Sequence, residues 1–204
     1  MGHGGAYVGR VADDVDARRR TVVDLPWTWL RQVHGDGVVL VQSPGAGAGT
    51  AADASVTATS GAALAVLSAD CAPVALASPE GIIGVAHAGW RGLLLGVLER
   101  TVQVMCDLGA SRVTGALGPC IHAECYEFGA PDLDRVAGRL GAVVRATTAE
   151  GRPALDLPAG VRAALGGAGV TDLQAVDICT ACSAEHFSWR ARRDTARQAL
   201  VVWR

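Results

Sequence analysis

Between residues 63 and 86 the chain carries three short apolar runs in close succession, Ala63–Ser68, Val74–Ala77 and Ile82–Ala86. Asp70, Pro73, Pro79 and Gly81 punctuate them. Each run is too short for a helix of ordinary length, and none alternates apolar with polar residues. Runs of this kind are strands buried on both faces, so the rest of the chain must supply covering layers. Further strands are expected at Trp27–Val33, Val38–Gln42, Ala54–Thr57, Val113–Leu117, Leu173–Ile178 and Ala199–Trp203. The His34-Gly35-Asp36-Gly37 turn between the first two carries Asp-Gly, a hairpin signal. Gly45, Gly47 and Gly49 mark a flexible loop.

A helix is expected from Gly92 to about Asp107. Its Leu93, Leu94, Val97, Leu98, Val102 and Met105 recur at helical spacing, and Gly109 is placed to stop it. Pro131–Leu140 and Pro158–Leu165 each open on a proline that suits a first helical turn. The strands arrive in clusters rather than alternating one by one with helices. The fold class that follows is an α/β or α+β sandwich, a mixed sheet with flanking helices. No repeat or break in composition divides residues 1–204, so one domain is expected.

Half of the 204 residues are hydrophobic and 19% are charged, which makes the chain globular. A net charge of −2 exerts no bulk pull on nucleic acid or an anionic membrane. All 18 basic side chains are Arg, which excludes a P-loop lysine and a Schiff-base lysine. No run is long and apolar enough to span a bilayer. Met1–Arg10 lacks the basic-then-apolar order of a secretory signal. The six cysteines are therefore read as reduced thiols or metal ligands, and the expected compartment is the cytoplasm. The expected partners are small molecules, with the chain a monomer or small homo-oligomer.

Two of the five histidines close strands in Gly-rich turns: His34, before Gly35, and His87, in His87-Ala88-Gly89-Trp90-Arg91-Gly92. Cys71 follows a buried strand in Ser68-Ala69-Asp70-Cys71-Ala72-Pro73. Side chains at strand ends converge on a sheet edge, where sites are built. His34, Cys71 and His87 suit zinc, which would keep a fourth position open for a water that it acidifies. The same His₂Cys set can hold copper. A metal-free hydrolase with Cys71 as nucleophile and His87 as base is a further reading. Arg91, placed just ahead of a helix starting at Gly92, suits an anion such as phosphate. Cys120, Cys125, Cys179 and Cys182 raise a separate structural zinc. The Cys-x₄-Cys spacing and the distance along the chain argue against it, in favour of Cys120 and Cys179 as small buried residues near the pocket.

Three segments carry a resemblance: Trp29-Leu30-Arg31-Gln32-Val33-His34-Gly35, Leu67-Ser68-Ala69-Asp70-Cys71-Ala72-Pro73-Val74 and Ala86-His87-Ala88-Gly89-Trp90-Arg91-Gly92. Weaker matches are Gly118-Pro119-Cys120-Ile121, Cys125-Tyr126-Glu127, Cys179-Thr180 and Phe187-Ser188-Trp189-Arg190. From about Tyr7 to Trp203 the chain resembles the laccase-domain family, whose members are described as YfiH-type polyphenol oxidases, purine nucleoside phosphorylases or peptidoglycan editing factors. The resemblance implies a fold shared with deamidating toxin domains. It implies zinc held by His34, Cys71 and His87, with copper as the alternative. It implies phosphate-dependent cleavage of adenosine, inosine, guanosine or methylthioadenosine, with adenosine deamination as a side activity. Arg91 would then contact phosphate and Gln32 would shape the pocket near His34. Asp70 and Glu124 are the acids considered for protonating the leaving base.

The chain departs from the family pattern in three places. Set against that pattern, some of the usual N-terminal segment is expected to be missing. The chain reads Cys-Ile-His-Ala-Glu-Cys-Tyr-Glu over residues 120–127, and it lacks the glycines usual near Arg190–Arg197. Phenol oxidation by copper, or hydrolysis of misincorporated cell-wall precursors, are the alternative activities. Five histidines are too few to ligate both the mononuclear and the trinuclear centre of a multicopper oxidase.

Overall fold

A computed structural model describes residues 15–204. The reading of Met1–Arg10 concerns residues outside these. The chain enters through a helix over residues 15–22, α1. Strands β1 (Trp27–Trp29), β2 (Val38–Leu40), β3 (Ala54–Thr57), β4 (Ala63–Ser68), β5 (Ala72–Ala77) and β6 (Ile83–Ala88) follow. Two consecutive helices, α2 (Trp90–Leu95) and α3 (Val97–Asp107), lead to β7 (Thr114–Leu117) and α4 (Ala130–Leu140). A small ribbon of β8 (Arg145–Thr147) and β9 (Pro153–Leu155) precedes α5 (Leu157–Gly167). The chain ends with β10 (Leu173–Ala175), the single-turn α6 (Trp189–Arg192) and β11 (Gln198–Trp203).

The strands form a mixed six-stranded sheet, in the order β10-β7-β5-β6-β3-β2, and a three-stranded sheet, β1-β4-β11. The sandwich expected from the clustered strands is what forms. Alternation along β6 shows how the layers are filled. Ile83 and Val85 face one way, into a cluster with Val41, Leu64 and Val66 between the two sheets. Ala86 and Ala88 face the other way, into the larger core with Leu93, Val97, Leu98 and Met105 of α2 and α3. Gly84 lies on that helical side, where a Cβ would sit 3.3 Å from Met105 Sδ and 3.3 Å from Val56 Cγ2. By the same period of two, His87 shares the face of Ile83 and Val85 at the end of β6.

Two expectations are corrected. The Asp36-Gly37 turn closes no hairpin: β1 pairs in parallel with β4, while β2 pairs in parallel with β3 in the other sheet. The reason lies at Asp53, whose carboxylate accepts from the backbone N–H groups of Val33, His34 and Gly35 and wraps that segment around itself. The single helix expected over Gly92–Asp107 is divided at Gly96, which is left-handed at φ +88°. Its N–H caps α2 by donating to Gly92 O, and α3 starts at once.

Candidate metal centre and cleft

The three residues expected to converge do so. The donor atoms of His34, Cys71 and His87 lie within 4.8 Å of one another. Cys71 Sγ is 3.8 Å from His34 Nε2, and the two imidazoles meet edge to face at 4.9 Å between centroids. Register brings them together: in the antiparallel β5–β6 pair Pro73 opposes His87 and Ala72 opposes Ala88, so Cys71 lies alongside Gly89. A Cβ on Gly89 would come within 3.0 Å of Cys71 Sγ and 3.1 Å of His34 Cδ2. Glycine there keeps the room that the two side chains occupy.

Asp53, which the sequence reading missed, organises the centre. It is fully buried, and its Oδ1 accepts from His87 Nδ1 at 2.8 Å and from the His34 N–H at 2.9 Å. Its Oδ2 accepts from the N–H groups of Gly35 at 2.8 Å and Val33 at 3.1 Å. One carboxylate therefore fixes the His87 ring with Nε2 turned to the site, and holds His34 in a left-handed backbone at φ +60°. The signal available in the sequence was a lone acid opening the buried apolar run at Ala54.

The electrostatics follow from this packing. Burial pushes the Cys71 thiol up, but hydrogen bonding to His34 and His87 outweighs it and brings the thiol down to about 6. Burial works against charge on His87, yet Asp53 and Cys71 raise it to about 9. Asp53 is held below its ordinary value: burial opposes this, and the hydrogen bonds from His87, Gly35 and Val33 prevail. Cys71 is thus poised as the thiolate, the form in which sulfur ligates a metal. Imidazole, thiolate and imidazole, a carboxylate behind one ring, space kept by Gly89 and an exposed His34 fit a three-ligand metal centre with an open side.

The centre forms part of the floor of a cleft of about 600 Å³. Arg91, Arg190 and Arg197 line it, with Trp90, Trp189 and Tyr126 among the walls. Arg91 falls within the first turn of α2 rather than ahead of it, because the helix begins at Trp90. Its guanidinium is placed by stacking, 4.5 Å from the Trp90 ring centroid, and not by a helix terminus. Arg190 lies in the same way over Tyr126 at 5.1 Å. Burial pushes the Tyr126 hydroxyl up, so it stays protonated. Among the described residues no carboxylate forms an ion pair with Arg91, Arg190 or Arg197; Glu127 and Glu150 both pair with Arg152, and Asp194 pairs with Arg192.

Gln32 borders the cleft with its amide engaged: Nε2 donates to Leu67 O at 2.7 Å and Oε1 accepts from Leu67 N at 2.8 Å. It extends the β1–β4 ladder past the point where β1 ends. Asp70, left-handed at φ +97°, also borders the cleft, but its oxygens accept from Thr180 Oγ1 at 2.8 Å and the Arg190 N–H at 2.6 Å. Both Asp70 oxygens are thereby engaged in holding Thr180 and the backbone of Arg190. Glu124 lies outside this cleft, grouped with Cys125, Cys179 and Cys182. Cys120 and Cys179 are buried, as expected.

A two-sheet sandwich with a His–Cys–His centre beneath an arginine-lined cleft defines a metal-competent enzyme site. The chain belongs to the family described as multi-copper polyphenol oxidoreductase laccase, whose model matches residues 4–204. A Streptomyces griseus protein named purine nucleoside phosphorylase ORF3 is 47% identical over 180 residues, covering 86% of this chain and 73% of that protein. A purine nucleoside phosphorylase of Mycobacterium tuberculosis is 39% identical over 193 residues, covering 92% and 77%. Among solved structures, YlmD from Geobacillus stearothermophilus matches with a TM-score of 0.80 and 29% identity, covering 93% of this chain and 78% of that one. Bacillus licheniformis YfiH, at 24% identity and a TM-score of 0.81, shares the fold over 93% of this chain and 79% of that one.

Proposed function

We propose that the chain is a zinc-dependent purine nucleoside phosphorylase acting on adenosine, inosine, guanosine and methylthioadenosine, with adenosine deamination as a side activity. The observation that carries this reading is the sharing of one cleft by Arg91, Arg190, Arg197 and the His34–Cys71–His87 group. Three guanidiniums without carboxylate partners among the described residues favour a dianion, and guanidinium geometry suits phosphate oxygens. Trp90, Tyr126 and Trp189 offer apolar surface for a purine. Relatives named as purine nucleoside phosphorylases support the same substrate class.

In phosphorolysis a phosphate oxygen bonds to the ribose anomeric carbon as the carbon–nitrogen bond to the base breaks. The base leaves with that electron pair and takes up the proton that phosphate gives up. Arg91, Arg190 and Arg197 hold the phosphate and fix its approach. Asp53 keeps His87 oriented, and Asp70 keeps the backbone of Arg190 in place. His34, Cys71 and His87 would hold zinc, which supplies a Lewis acid for charge building on oxygen and, in deamination, for activating water. Deamination replaces the purine amine by a water oxygen and releases ammonia. Six unpaired cysteines suit a reducing compartment, so we place the enzyme in the cytoplasm.

The test is incubation of zinc-loaded protein with adenosine. With phosphate the expected products are adenine and ribose 1-phosphate; without it, some inosine. Copper-stimulated phenol oxidation with no nucleoside turnover in the same preparation would overturn the reading.

A further inference from the structure

The Cys-Thr-Ala-Cys turn at residues 179–182 and the single 3₁₀ turn Ala123–Cys125 are far apart in the chain, yet they meet. A parallel bridge joins Cys120 to Cys179, with Thr180 N donating to Cys120 O at 3.0 Å and Cys120 N to Ile178 O at 3.3 Å. The distance along the chain that argued against a second metal site is thereby removed. The ligand set differs from the one raised by the sequence: Cys120 is not part of it, and Glu124 is.

We propose that Glu124, Cys125, Cys179 and Cys182 form a second zinc site, structural in role, that fastens residues 176–188 beside the cleft. The four donor atoms lie within 4.8 Å of one another. Cys125 Sγ is 3.3 Å from Cys182 Sγ, and Cys182 Sγ is 4.0 Å from Glu124 Oε1. With Zn–S near ~2.3 Å and Zn–O near ~2.1 Å, a tetrahedron has S···S edges of ~3.8 Å and S···O edges of ~3.6 Å. The S···S separation of 3.3 Å is shorter than its edge and the S···O separation of 4.0 Å longer, so small side-chain shifts would complete the tetrahedron. Three thiolates and a carboxylate also form a closed four-ligand set of the kind structural zinc takes, in contrast to the open centre beneath the cleft.

A second observation is independent of these distances. Buried Cys179 receives the backbone N–H of His122 on its sulfur at 3.4 Å. A backbone donor aimed at a sulfur stabilises its thiolate. Cys125 and Cys182 crowd each other at 3.3 Å beside it. Sulfurs crowded together in this way ionise jointly when a cation shares them; zinc would displace three thiol protons to solvent, with no change of oxidation state. A Cys125–Cys182 disulfide would account for two of the four donors and leave the Cys179 arrangement unexplained.

Residues 176–188 contain no helix and only the single bridge at Cys179. The segment nevertheless positions cleft residues. Thr180 donates to Asp70 beside Cys71, and the segment leads into Trp189 and Arg190. A metal clip would supply the rigidity that regular structure does not. This inference does not rest on the nucleoside reading.

The test compares Cys71→Ala with Cys71→Ala/Cys182→Ser, each equilibrated with zinc, passed through a sizing column and analysed for metal. Loss of the first centre lowers the wild-type total and leaves this comparison intact. The expected result is one zinc retained by Cys71→Ala and none by the double variant. Cobalt in place of zinc in Cys71→Ala should give strong sulfur-to-cobalt charge-transfer absorption, a reading that needs no change at the second site. No bound zinc and no such band in Cys71→Ala, equal zinc in both variants, or a mass two units low from a Cys125–Cys182 disulfide would each overturn the proposal.

Discussion

Asp53→Asn tests the organisation of the centre with almost no change in volume. The carboxylate offers two oxygens to four N–H groups, Oδ1 to His34 and His87 Nδ1, and Oδ2 to Val33 and Gly35. An amide keeps only one accepting oxygen. Whichever way it turns, two N–H groups lose their acceptor and face another donor. A buried donor left unsatisfied costs about 1–3 kcal/mol, so the variant should lose about 2–6 kcal/mol. For a chain of this length each kcal/mol lowers Tm by about 2–4 °C, which sets a drop of at least ~4 °C. Loss of a carboxylate behind a ligating imidazole typically weakens metal binding about tenfold to a hundredfold. Differential scanning calorimetry of chelator-treated protein, and zinc competition against a chromophoric chelator, read the two effects separately. The difference in stability should also depend on pH. Asp53 is depressed in the folded chain, so its contribution is present above the ordinary carboxylate value and lost as pH falls through the folded one. The gap between wild type and variant should therefore close below about pH 4. A Tm change under ~2 °C together with unaltered zinc affinity would refute the role given to Asp53.

Arg91 is exposed and, among the described residues, its side chain is held by its stack on Trp90 alone, so Arg91→Ala should fold normally. Removing a charge-assisted contact costs about 1.5–3 kcal/mol, so the KM for phosphate should rise roughly tenfold to more than a hundredfold; an unchanged KM sinks the assignment. In chelator-treated protein the Cys71 thiol ionises with a midpoint of about 6, so its alkylation by iodoacetamide should rise with pH to a plateau near neutrality. A rate still climbing above pH 8, as for an ordinary thiol, would contradict the His34 and His87 contacts.

What was legible in the sequence was whatever a local pattern encodes. The buried strands at Ala63–Ser68, Ala72–Ala77 and Ile83–Ala88 declare themselves by apolar runs between breakers. His34, Cys71 and His87 declare themselves by metal-competent chemistry at strand ends. Asp53 stayed hidden because its role is to join two distant segments, and nothing near it in the chain marks a partner. That the two cysteine-bearing segments meet was hidden for the same reason, since the Cys120–Cys179 bridge that joins them leaves no local mark in the sequence. Gly45, Gly47 and Gly49 read as flexibility, but each holds a left-handed φ between +74° and +81°. A Cβ at Gly47 would come within 2.8 Å of Val39 Cγ1, so this loop is specified rather than slack.

The mistaken hairpin points to what fixes the centre. Asp36-Gly37 has the stronger local turn signal, yet the hairpin that matters joins β5 to β6 through Pro79, Glu80 and Gly81. There Ser78 N donates to Ile82 O at 2.9 Å, and Gly81 takes φ +81° to close the turn. A turn this short admits one register, and that register sets Pro73 against His87 and Cys71 beside Gly89. A slip of one residue would send His87 to the helical face and Ala88 toward the other sheet. Asp53 then locks the result from the neighbouring strand, since His87 N donates to Asp53 O at 2.7 Å while the side chains pair. The metal-competent geometry therefore depends on a tight turn some six residues from His87 and on one buried carboxylate.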